Sequence, residues 1–145
     1  MMGDPEILST TYYPPLNFRN KPTWYPDLNE KYKLTLDEVY SALDNTLFYL
    51  ASTGTRTALD TLIVEAVGDS GRFEQKISLL CEKGIIDEDE KDLLIAVIDT
   101  GSASAHRGFK PDADDMNDMM KITEHIFYQV CIKPIEKKAL LDKAN

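Results

Sequence analysis

One stretch holds the residues best suited to chemistry: Gly101-Ser102-Ala103-Ser104-Ala105-His106-Arg107. Histidine titrates near neutrality, which makes His106 a candidate proton-transfer group. Arg107 beside it and Lys110 just beyond are the cations available to neutralise a phosphate. An imidazolium at a helix C-terminus also complements the dipole and can bond the last carbonyls, so a structural role is the alternative. The small residues from Gly101 to Ala105 admit a close backbone approach. They predict a tight helix crossing, either inside the chain or across a dimer axis.

Other candidates reduce to structure. Asp87-Glu88-Asp89-Glu90 and the group Asp112, Asp114, Asp115 and Asp118 have the residue type of a cation site. The second begins like a calcium loop but lacks its central glycine, and Thr123 stands where the closing glutamate belongs. Both groups lie where a helix begins, where carboxylates complement free amides and the dipole. We therefore expect no metal and no cofactor. Gly68, Gly71 and Gly84 read as helix punctuation, without a phosphate-binding glycine pattern or a nucleophile elbow. Met116, Met119 and Met120 read as core filling, with an adaptable partner groove as the alternative.

Composition bounds the rest. The chain has 145 residues, 25 acidic and 16 basic, for a formal charge of −9. Such a charge is repelled by phosphate backbones unless a local basic patch intervenes. No apolar run approaches the roughly 20 residues of a membrane span. The start, Met1 to Thr10, lacks the pattern of a secretory signal. Cys81 and Cys131 are too few for a disulfide framework and show no metal spacing. A cytoplasmic protein with one core is expected.

These groups must be positioned by helices. Residues 1–33 hold Pro5, Pro14, Pro15, Pro22 and Pro26 together with Tyr12, Tyr13, Phe18, Trp24, Tyr25 and Tyr32. Proline at that density opposes helix, while the aromatics offer area to bury, so an extended arm lying over the body is expected. Trp24 and Tyr25 would cover the bundle or help contact a partner. Residues 34–145 predict a single domain of five to six helices. Thr35 and Glu38 have capping-box spacing, and Leu36, Val39, Tyr40, Leu43 and Leu47 recur at helical intervals up to a break at Gly54. Further helices are expected over about 55–67, 72–83, from Asp87 into the small-residue stretch, after Pro111, and over 135–143. No segment alternates like a strand. The expectation is all-α: an up-and-down helical bundle with an extended N-terminal arm.

Within this pattern the stretch from Arg56 to about Ile132 resembles a bacterial domain of unknown function, the 4145-like family, in the HEPN superfamily of helical bundles. Carrying the resemblance are Arg56-Thr57-Ala58-Leu59, Lys76-Ile77-Ser78-Leu79-Leu80 followed by Lys83-Gly84-Ile85-Ile86, and the Gly101-to-His106 stretch. The resemblance implies a homodimer, often found near bacterial defence or restriction systems. It also implies metal-independent ribonuclease chemistry, with an arginine, four to six intervening residues and then a histidine. The histidine transfers to His106. The arginine does not: the permitted positions hold Asp99, Thr100 and Gly101, preceded by Ile98.

The sequence thus points to a HEPN-like module that acts by interaction or regulation rather than catalysis. His106 and Arg107 would tie down the following loop, with Asp99 and Arg107 as a possible ion pair. The alternative is a ribonuclease with a rearranged site, His106 as general base and Arg107 or Lys110 on the phosphate. RNA is a partner only in that alternative.

Overall fold

The computed structural model describes residues 17–145, so the expectations for Pro5, Tyr12, Tyr13, Pro14 and Pro15 lie outside the described residues. Six α-helices follow one another: α1 (Glu30–Asp44), α2 (Phe48–Val67), α3 (Phe73–Glu82), α4 (Glu88–Arg107), α5 (Ala113–Phe127) and α6 (Lys133–Ala144). A π-helical turn, Tyr128–Ile132, joins α5 to α6. The arrangement is an up-and-down bundle without strands among the described residues. No described helix is long and apolar enough to cross a membrane.

Helix α2 is central and packs on α1, α3, α4 and α5. Its buried set, Ala51, Ser52, Thr55, Ala58, Leu59, Leu62 and Ile63, falls within an arc of about 140° at 100° per residue, a broad face turned to the core. Leu43, Leu94, Ile77, Leu80, Met116, Met120, Ile126 and Phe127 close the core around it. Each large apolar side chain removed from water there contributes about 1.5–3 kcal/mol. Met116, Met119 and Met120 are core residues.

Two helix starts carry the acids that resembled cation sites. Asp87 accepts from the Glu90 amide while Glu90 accepts from the Asp87 amide, both at 2.8 Å. Asp112 and Asp115 make the same reciprocal pair at the start of α5. Four amides that the helices leave open are thereby satisfied.

The first break is misplaced in the sequence reading. Gly54 lies inside α2 and interrupts nothing. The chain turns instead at Asn45–Leu47, where Thr46 takes a positive φ of 56° and the Asn45 side chain closes on the Ser41 carbonyl. Leu47, expected to face inward, is exposed in that turn. A Cβ at Gly54 would lie 2.9 Å from Val39 Cγ2, so the glycine permits the α1–α2 approach. Helix α1 also starts at Glu30, capped by Asn29, and not at Thr35. Helix α6 starts at Lys133 because the π turn keeps the backbone helical up to Pro134, which sits in its first turn.

The segment before α1 lies over the body through polar anchors. Arg19 makes two 2.9 Å bonds to Glu124 of α5, and the Tyr40 hydroxyl donates to the same carboxylate at 2.7 Å. The bond to Glu124 raises the Arg19 pKa, and burial first, then that carboxylate, raises Tyr40. Phe18 packs on Phe48 with ring centroids 5.3 Å apart.

Candidate functional site

The second half of α4 lies against α2. A Cβ at Gly101 would stand 2.6 Å from Arg56 Cβ and 3.0 Å from the Ser52 carbonyl oxygen, which brings the two backbones together at this point. One turn along, the buried Ser104 hydroxyl bonds Ser52 at 3.0 Å. Ala103 is also buried, whereas Ala105 faces solvent. Of the two arrangements that the small residues allow, Gly101 and Ser104 thus make the crossing inside the chain.

Arg56 is a further candidate, named in the sequence only as part of the segment that carries the resemblance. From α2 it donates through Nε to the Ser102 hydroxyl at 2.8 Å, and its guanidinium lies 5.1 Å from the Phe73 ring centroid. The pattern places Arg56 at the start of a helix beginning near residue 55, but α2 begins at Phe48 and carries it to mid-helix. No local signal marks it, since only the α2–α4 crossing brings it to Ser102.

His106 and Arg107 occupy the last turn of α4 and are exposed. Among the described residues neither side chain makes a hydrogen bond or an ion pair, so they do not tie down the following loop. That role falls to backbone: Gly108, at φ 68°, and Phe109 both direct their amides to the Ala103 carbonyl. The expected Asp99–Arg107 pair does not form, because eight helical residues separate them by about 12 Å along the axis. Adjacent positions also send His106 and Arg107 about 100° apart. Ser102, one turn before His106, shares its face instead.

The electrostatic setting is acidic. From Asp99 to Asp118, the stretch about His106, the chain has five carboxylates against two lysines and arginines, and five more from Asp87 to Asp92 begin α4 at its far end. Between α4 and α5 an open groove is lined by Leu93, Ala96, Val97, Phe109, Met119 and Ile122, with Asp115 and Asp118 at its edge. Leu93 and Phe109, 55% and 46% exposed, lie on the lining of this one groove. At the other end of these helices His125 Nε2 lies within ion-pair distance of Glu90, off the hydrogen-bonding line.

Trp24 and Tyr25, the other candidate contacts, cover the bundle. Tyr25 is only 6% exposed, meets the Tyr40 ring edge-on at 5.6 Å and donates to Asp37 at 2.5 Å. Burial, then that bond, raises its pKa, while the same bond lowers that of Asp37. Trp24 packs on Tyr128 of the π turn at 6.1 Å. Tyr25 has nothing left to offer a partner. Both cysteines are free thiols: Cys81 donates to Glu88 at 2.9 Å, and burial pushes Cys131 up to about 11.

A protein-family model described as a domain of unknown function (DUF4145) matches residues 37–144, about three quarters of the chain. No curated protein and no solved structure matches.

Proposed function

The chain belongs to the DUF4145 family, and from that premise we propose a HEPN-type module that works by binding protein, as a cytoplasmic homodimer, without catalysing a reaction. The observation that carries this reading is the acidic α4–α5 face beside His106. A phosphate chain approaching that histidine meets negative potential, whereas a cationic protein segment is drawn in. The apolar groove within the face supplies the desolvated contact that gives such an encounter its lifetime. A regulatory role beside a defence or restriction system fits this chemistry.

One observation favours a second reading. Arg56, bonded to Ser102, brings a guanidinium to the face of α4 that His106 shares one turn later. In a ribonuclease built this way Arg56 would hold the phosphate and His106 would take the 2′-hydroxyl proton. The two readings separate in one assay. Purified chain is incubated with RNA in EDTA beside His106→Ala and Arg56→Ala. The interaction reading expects no cleavage from any of the three. Cleavage by the wild type that both substitutions abolish would establish the second reading and overturn the first.

A further inference from the structure

Helix α6 buries none of its residues. Leu140 and Leu141 are 70% and 54% exposed, and the helix carries four lysines against two carboxylates in a chain of charge −9. At 100° per residue, Pro134, Leu140, Leu141 and Ala144 fall within one arc of about 120°, which also includes Lys133 and Lys137. Lys138 and Lys143 border it on either side. The helix thus presents a leucine stripe set among cations, with no surface of its own chain beneath it among the described residues.

The α4–α5 groove is its complement. Leu93 and Phe109 lie exposed in it, and Asp115 and Asp118 stand at its edge. The α6 of the same chain cannot fill it. Phe127, Tyr128, Ile132 and Lys133 all keep helical backbone angles, so α5 runs on into α6. Leu140 then lies roughly 30 Å beyond Asp118, at 1.5 Å per residue. Folding back would require breaking the helix through the π turn, which Trp24 packs against.

We infer that α6 of one copy lies in the α4–α5 groove of a second copy and receives that copy's α6 in return. Leu140 and Leu141 cover Leu93 and Phe109, and the flanking lysines meet Asp115 and Asp118. Reciprocal exchange makes the contact isologous and doubles it, which closes the assembly at two chains. This deepens the interaction reading by naming its surface and rests on it, but the cleavage assay above is blind to the contact, so either can fail alone.

The test is the mass of the full-length chain by sedimentation equilibrium. A helix variant carries Leu140→Asp with Leu141→Asp, and a groove variant carries Leu93→Lys with Phe109→Lys. All four positions are exposed, so folding is retained, and circular dichroism verifies it. Wild type should be a dimer that weakens as salt rises, and each variant alone should weaken dimerisation about a hundredfold or more. Mixing the two variants should restore a dimer, because one contact is then wild type and the other pairs aspartates with lysines. A synthetic peptide of residues 133–145 should dissociate the wild-type dimer. A monomeric wild type, a dimer indifferent to either variant, or mixed variants that stay monomeric would overturn the inference.

Discussion

Replacing Gly101 by alanine tests the α2–α4 crossing that positions His106 and Arg56. The new methyl would begin 2.6 Å from Arg56 Cβ and 3.0 Å from the Ser52 carbonyl oxygen. Neither atom can swing aside: one is bonded to the α2 backbone and the other belongs to it. Relief requires the two helices to move apart, which stretches the Ser104–Ser52 and Arg56–Ser102 bonds. Overpacking of this kind costs about 1–3 kcal/mol. Alanine recovers about 1 kcal/mol of intrinsic helix preference over glycine. Because rigid atoms are met, the upper part of the range applies and the net loss should be about 1–2 kcal/mol. In a domain of this size that lowers Tm by about 3–8 °C. Urea unfolding followed by circular dichroism reads the free energy. Gly54→Ala is the internal control, since its nearest obstacle is a rotatable Val39 methyl at 2.9 Å, and its loss should be smaller. A Gly101→Ala chain as stable as wild type would refute the close crossing.

Further expectations concern other parts of the molecule. Glu124→Ala strands Arg19 and Tyr40 in a largely covered site and should cost about 1.5–3 kcal/mol in urea unfolding, between the exposed and buried limits for such pairs. His106→Ala removes an exposed side chain that bonds none of the described residues and should leave stability within about 0.5 kcal/mol, read in the same assay. In a Cys81→Ser background, Cys131 should be modified by iodoacetamide with a midpoint near 11, so at pH 8.5 the folded chain should react far more slowly than the urea-unfolded chain. Asp37 has its folded pKa lowered, so its contribution is present above the ordinary carboxylate range and is lost as pH falls through the lowered value. Because that side chain is half exposed, Asp37→Asn should flatten the acid side of the stability profile only slightly.

The helices that announce themselves locally were readable from the sequence. Asp87 with Glu90, and the methionine spacing of α5, depend on near neighbours and the helical period, and both stand as expected. Gly54 and Thr35 misled because their usual local roles were overridden by position: a glycine beneath Val39 serves packing, and a threonine inside α1 has no free amide to cap. The α2–α4 site was half legible. Gly101 and Ser104 declared a close contact by size alone, but their partner arises from a helix crossing that no local pattern encodes. Arg56 stayed hidden for the same reason, standing 46 positions before Ser102. The loss of inward facing at Leu47 and the cover formed by Tyr25 are likewise tertiary outcomes.

Whether this module acts by interaction is decided most directly by whether it holds RNA at all. Fluorescence anisotropy of a labelled single-stranded RNA, titrated with the full chain at low salt, reads this before any chemistry. Low salt favours binding, since phosphate contacts strengthen as counterions are diluted. The acidic face beside His106 predicts no saturable rise up to about 100 µM protein, the weak end of ordinary non-specific binding. Saturable binding below that concentration, weakened by Arg56→Ala and by added salt, would contradict the account and turn the site toward ribonuclease chemistry.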